Sequence, residues 1–307
     1  MIRLRERGCR ACKHRPPHDI AMGGDAAAVL AHCVVLYADD ALCGSDGPAR
    51  SGQGVDRLSG LDGIAEEGIA GCIAFRTCDD AESCRRPAAI DRLAQVMGMR
   101  DGGACSSGRS LADRFKGAQC CLLAPAGSAA LTAPLGFESV DAFDASETKL
   151  DGMIARLREA NSKHVLTVVQ LPVGGALDSL DAAVSRVMEE VIDPRDTMLV
   201  VIAGQGDAAP PNADDLLPAA IQSGHAHGFR VPVQSVQVWD GEPIDDWGRG
   251  GVAVAVHASP HYARRDNLAR FPSPIQAARR GGHGLILAQS FIAGAMFSLG
   301  CAPKYGA

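Results

Sequence analysis

Short apolar runs alternate along this chain with segments of helical period, and that alternation restricts the fold more than any single motif. "CVVLYA" (33–38), "GCIAF", "AQCCLLAP", "HVLTVVQLPVG", "TMLVVIAG" (197–204) and "GVAVAVHAS" have the length and composition of strands buried on both faces. Between them "GVDRLSGLDGIAEEGIAG", "AAIDRLAQVMGM", "SLADRF" and "ETKLDGMIARLREANSK" read as helices. "LDSLDAAVSRVMEEVI" places Leu177, Leu180, Ala183, Val184, Val187 and Val191 on one stripe and its charges elsewhere, as a helix packed on a sheet requires. Further on, "RVPVQSVQVWDG" alternates like a strand, and "SPIQAARRGG" and "LILAQSFIAGAMFSLG" each read as a helix. Strands alternating with helices predict an α/β fold: a doubly wound, mostly parallel sheet with helices on both faces and the strand over 196–203 near its centre.

Composition narrows the function classes. The chain has 307 residues, of which 47% are hydrophobic but only 4% aromatic, so its core must be built from Ala, Val, Leu and Ile. A net charge of −6 gives no basic surface for nucleic acid. No run approaches the roughly 20 apolar residues of a membrane span. No internal repeat interrupts residues 30–307, which are expected to form one domain behind a basic arm, 1–29. In that arm Cys9, Cys12, His14 and His18 have the donor types of a zinc site, although a flexible or targeting segment is the plainer reading. The remaining cysteines show no disulfide spacing and no secretory leader is evident. The expectation is an intracellular reducing compartment, cytoplasmic or organellar given the Arg-rich start.

Candidate ligand groups follow from position. Asp39 and Asp40 end an apolar strand, where open α/β sheets place their sites. His225 and His227 share one face if the chain between them is extended, as a metal pair would. Arg264, Arg265 and Arg270 form a cluster able to grip a phosphate or carboxylate, or to sit in a surface ion-pair network. "DTMLVVIAGQGD" (196–207) ends a buried strand in a glycine turn, with no phosphate-loop pattern around it.

The order of these segments resembles the alkaline phosphatase superfamily and, within it, the cofactor-independent phosphoglycerate mutases. "VVLYADD" looks like the opening strand that carries the first metal-binding Asp. "GVDRLSGLDGIAEEGIAG" is similar to that family's "TPNLDRLAxxGxxG", and "GHAHGFRVPVQSVQVWDG" to its "HTxxPVPxxIxG". The tail, ending in APKYGA, is similar to a plant and algal phosphoglycerate-mutase-like group. The resemblance implies an alkaline-phosphatase-like fold and a site of two divalent ions, commonly zinc or manganese, held by about six Asp and His ligands around a Ser or Thr nucleophile. Asp39 or Asp40 would be the first ligand and His225 or His227 a later one; Ser106 and Ser107 are the nearest nucleophile candidates by position.

Other positions depart from the family pattern. Gly204-Gln205-Gly206 stand where the family has Asp-His, and "VVQLPVGG" ends without its Asp and His. The expectation is therefore a phosphoglycerate-mutase-like chain that has lost its catalytic metals and any cofactor, and acts as a structural or binding subunit with protein partners in a larger assembly. The alternative is an active metal-dependent phosphomutase or phosphatase with unusual zinc or manganese ligands. A module binding anions through Arg264, Arg265 and Arg270 is a third reading.

Overall fold

The structure, a computed structural model, describes residues 30–42, 58–77, 87–101, 104–105, 110–144, 150–172, 177–208, 211, 213–216, 225–226, 229–230, 238–239, 242–243, 248–259, 266 and 268–302. The chain begins with β1 (His32–Ala38), α1 (Ser59–Glu67), β2 (Ile69–Ala74) and α2 (Ala88–Val96), then a short hairpin of β3 (Arg100–Asp101) and β4 (Ala104–Cys105). It continues through α3 (Leu111–Arg114), β5 (Cys120–Pro125), α4 (Ala126–Thr132), β6 (Ser139–Phe143), α5 (Leu150–Asn161), β7 (Leu166–Gln170) and α6 (Leu177–Glu190). β8 (Thr197–Gly204) and α7 (Ala213–Leu216) precede two small hairpins, β9 (His225–Ala226) with β10 (Phe229–Arg230) and β11 (Val238–Trp239) with β12 (Glu242–Pro243). β13 (Val252–Ala258), α8 (Pro274–Arg280), β14 (Gly284–Leu287) and α9 (Ala288–Ser298) complete it.

Eight strands form one sheet in the order β14-β2-β13-β8-β1-β7-β5-β6. β13 runs antiparallel to both its neighbours, β2 and β8. Every other pairing in that sheet is parallel. Strands this apolar need cover on both faces, and the alternation along each one supplies it. Met198, Val200 and Ile202 of β8 face a core shared with Ile90 and Leu93 of α2 and with Phe291 and Ile292 of α9. Leu199, Val201 and Ala203 face the other core, with Leu61 of α1, Leu157 of α5 and Leu180, Val184 and Val187 of α6. The α/β architecture, the helices on both faces and the interior place of β8 are those expected from the sequence.

One local reading changes, one is described only in part, and two elements are added. "LILAQSFIAGAMFSLG" is a strand and a helix joined without a loop: Leu285, Ile286 and Leu287 pair with Cys72, Ile73 and Ala74, and α9 starts at Ala288. Periodicity cannot mark that boundary, because the run is apolar on every side of a helical wheel and in both phases of a strand. "RVPVQSVQVWDG" is described only at Arg230 and at Val238–Trp239, each in a two-residue strand outside the main sheet. α4 and β6 had no clear signal in the sequence. β6 is the sheet's edge, with Asp141 and Ala142 exposed, so it lacks the continuous apolar run of the inner strands.

Asp266 shows what the Arg-rich "RRDNLARF" segment contributes to the fold. Its buried carboxylate accepts hydrogen bonds from the backbone N–H of Ala70 at 2.6 Å and of Gly282 at 2.8 Å, tying β2 to the turn before β14. Its own N–H donates to the Gly68 carbonyl at 3.2 Å. Hydrogen bonds to a charged acceptor contribute about 1.5–3 kcal/mol each. Asp266→Ala is therefore expected to lower the melting temperature by about 10 °C, read by circular dichroism. Asp266→Asn, which keeps one acceptor oxygen, should lose roughly half as much.

Candidate functional site

Open α/β sheets carry their sites beyond the C-terminal ends of the parallel strands. Here that edge is formed by Asp39 after β1, Gln170 at the end of β7, and Gly204, Gln205, Gly206 and Asp207 at the end of β8. Asp39 is 5% exposed, and a carboxylate so buried must be paired. Its partner is Arg92, from the middle of α2. Arg92 Nε donates to Asp39 Oδ1 at 2.8 Å and Nη2 to Oδ2 at 2.6 Å, a two-pronged pairing of fork and carboxylate. Nη2 also donates to Asp207 Oδ1 at 3.1 Å. The Tyr37 hydroxyl, two residues back on the same face of β1, donates to Asp39 Oδ1 at 2.5 Å.

The electrostatics agree with this geometry. Burial pushes the Tyr37 phenol well above its usual range, and the Asp39 charge and hydrogen bond push it further against an opposing pull from Arg92, so Tyr37 stays a neutral donor. Burial disfavours the Arg92 charge, but its hydrogen bonds and attraction to Asp39 more than offset this and raise its pKa. Two carboxylates, the buried Asp39 and the exposed Asp207, share the one Arg92 guanidinium. α2 also supplies Gln95, whose amide donates to Asp91 Oδ2 at 3.0 Å and to the Arg76 carbonyl at 3.1 Å, holding the exit of β2 against the helix.

The glycine turn after β8 is shaped by a close approach. The Gly206 N–H donates to the Asp39 carbonyl at 2.7 Å, and the Leu42 N–H to the Gly204 carbonyl at 3.0 Å. The backbones after β1 and β8 are thus in direct contact. A Cβ on Gly204 would lie well inside van der Waals distance of the Asp39 carbonyl oxygen and carbon, both fixed backbone atoms. Gly206, at φ +58°, has the left-handed conformation that glycine adopts without strain. Gly204 is thus required by packing, and no side chain of any kind fits there.

Of the residues singled out in the sequence, Asp39 is at the centre of this cluster and Asp40 follows it, half-buried, in the turn. His225 lies in β9, paired with Arg230. Arg270 is exposed on the approach to α8. His227, Ser106, Ser107, Arg264 and Arg265 lie outside the described residues, as do the arm 1–29 and its Cys9, Cys12, His14 and His18. Arg92, Tyr37 and Asp207 were missed. The signal was present: an acid ending a buried strand needs a cation, and Arg92 is the one cation of the α2 segment AAIDRLAQV.

A divalent-metal pair does not fit these residues. Each ion needs several carboxylate or imidazole donors, and Asp39 already spends both oxygens on a guanidinium. Among the described residues no group of three or more His, Cys, Asp or Glu is placed to hold a metal ion. The described cysteines are no more reactive. Cys33, Cys72 and Cys120 are buried and unpaired, and burial raises each thiol to about 12. No helix among the described residues is long and apolar enough to cross a membrane.

Comparison with protein-family models and with curated sequences finds no match. Solved structures do resemble the chain. The PH0037 protein from Pyrococcus horikoshii aligns over 91% of this chain and 99% of its own, with a TM-score of 0.56 and 10% identity. A cofactor-independent phosphoglycerate mutase from Thermoplasma acidophilum aligns over 88% of this chain and 99% of its own, with a TM-score of 0.46 and 9% identity. The C-terminal periplasmic domain of EcEptC from Escherichia coli covers 83% of this chain and 82% of its own, with a TM-score of 0.41 and 10% identity. At such identity the first likeness establishes a shared α/β fold and nothing about activity.

Proposed function

We propose that this chain is a phosphoglycerate-mutase-like protein that no longer holds catalytic metals and serves as a structural or binding subunit of a larger assembly. The observation that carries the proposal is the seating of the Arg92 guanidinium on Asp39, one of the two adjacent acids, Asp39 or Asp40, that the family resemblance offers as the first metal ligand. A tethered cation there supplies the charge balance that an ion would supply, without a Lewis acid's open coordination position. The Gly204 contact supports the same reading, because an acid cannot be restored at that position while the Asp39 backbone stays where it is.

The test joins metal content, turnover and size. The purified chain is expected to carry no tightly bound ion that depends on Asp39, and to show no phosphatase or phosphomutase turnover with added zinc or manganese. In an extract it should elute in a complex well above its own 31.9 kDa. Two ions per chain that disappear in Asp39→Asn, together with turnover, would overturn the proposal in favour of an active metal-dependent enzyme. Elution as a free monomer would remove the subunit role.

A further inference from the structure

A cavity opens at the edge of the sheet opposite Asp39. β8 runs from Thr197 at this edge to Gly204 at the other, roughly 23 Å away. α1 and α6 pack on the same face of the sheet and both stop here, α1 at Glu67 and α6 at Glu190. The strands beneath them continue: Leu199 of β8 and Ala258 of β13 are partners in register on adjacent strands. Met188, in the last turn of α6, and Ile192, in the connection to β8, cover them only in part and stay half-buried themselves. The space left between these side chains is about 250 Å³. Buried Thr197 and Leu199 form its floor with Ala258, Met188 and Ile192 flank it, and exposed Glu67 stands at its rim.

The polar groups that line the cavity accept hydrogen bonds. The Thr197 hydroxyl donates its proton to Asp196 Oδ1 at 2.8 Å, which leaves its oxygen lone pairs to an incoming donor. An ionised Glu67 carboxylate only accepts, and its side chain makes no hydrogen bond or ion pair among the described residues. The helix ends add the same sign. Backbone carbonyls at a helix C-terminus carry partial negative charge and favour a cation. α6 has one, because Arg158 of α5 donates to the Glu190 carbonyl at 3.2 Å. α1 has no basic residue in its last turn. An apolar floor beside an unpaired acid and an uncompensated helix end suits a cation with a hydrocarbon body, and it disfavours an anion.

We propose that this cavity, separate from the cluster at Asp39, binds a small primary amine whose compact apolar body lies on Leu199, Ala258, Met188 and Ile192 and whose ammonium group is held by Glu67 and Thr197. An ammonium has three donors, enough for both acceptors and one water. The volume is below the roughly 300–1,000 Å³ of pockets for drug-sized ligands, so a nucleotide is too large. The Met188 thioether makes a favourable contact with an aromatic ring, which makes phenethylamine a suitable probe.

The full chain is titrated with phenethylamine by calorimetry, with 2-phenylethanol as the neutral compound of the same shape. Saturable binding of one equivalent is expected, with a dissociation constant on the order of 1 mM. Glu67→Gln should weaken it about fivefold, the effect of one exposed charge pair, and 2-phenylethanol should bind the parent about fivefold more weakly than the amine. Glu67→Lys should weaken amine binding at least tenfold, because like charges then meet at the rim. Ala258→Leu fills the floor and should abolish binding, its fold being checked by circular dichroism. Absence of saturable binding by the parent would end the proposal. Binding that survives Ala258→Leu would put the amine elsewhere and end it too. Equal affinity for the alcohol, or no change in Glu67→Gln and Glu67→Lys, would show that no cation is recognised and would overturn the assignment of an amine.

Discussion

Arg92→Ala is expected to lower the melting temperature by on the order of 10 °C and to leave the fold intact only in mild conditions. The reason is asymmetry. A buried pair contributes little compared with an apolar pair of the same volume, but removing one member strands the other. In Arg92→Ala the Asp39 carboxylate, 5% exposed in the parent, keeps a single donor, the Tyr37 hydroxyl. Breaking such a pair costs about 3–5 kcal/mol. Asp207 does not add to this cost, because its side chain is 85% exposed and re-solvates. Three further measurements identify the cause. Arg92→Lys should recover little, since an ammonium cannot engage both Asp39 oxygens at once. Asp39→Asn combined with Arg92→Met should recover most of the loss, because neither charge is left unpaired. Methylguanidinium at millimolar concentration should raise the melting temperature of Arg92→Ala and not of the parent. Equal melting of parent and Arg92→Ala would show that the guanidinium does not neutralise Asp39.

Gly204→Asp, which places an acid at the end of β8, is expected to damage the fold and not to create a metal site. The new Cβ meets the backbone carbonyl of Asp39, and backbone on both sides is fixed by hydrogen bonds from Gly206 to Asp39 and from Leu42 to Gly204. Neither strand can retreat without losing ladder bonds to its neighbour. Overpacking of this kind costs about 3 kcal/mol or more. A third carboxylate would also be added to Asp39 and Asp207 beside a single guanidinium. Gly204→Ala separates the two contributions, since it carries the clash without the charge and should melt almost as low as Gly204→Asp. A folded Gly204→Asp protein that gains zinc or manganese would refute the view that the site is closed by packing.

Much of the framework was legible because its determinants are local. The six-position stripe of "LDSLDAAVSRVMEEVI" became α6, with Leu180, Ala183, Val184 and Val187 fully buried. "CVVLYA" and "TMLVVIAG" became adjacent parallel strands at the sheet's centre. The boundary between β14 and α9 was not legible, because an apolar run has no phase; pairing with β2 decides where the strand stops. The site was legible only in part. Asp39 was marked by its place at a strand end, whereas Arg92 is 53 residues away and Asp207 lies 115 beyond Arg92.

The sequence by itself determined the class of fold, the two-sided strands, the acid after β1 and the Gly-Gln in place of an Asp-His pair at the end of β8. Those follow from residue type and from periods of two and 3.6, which any short window contains. Only the tertiary structure decided what surrounds Asp39 and Gly204. It put a guanidinium on Asp39 and set the Asp39 backbone against Gly204. Each depends on the order of strands and the way one helix packs beneath them. Such contacts join residues far apart along the chain, so no local pattern records them.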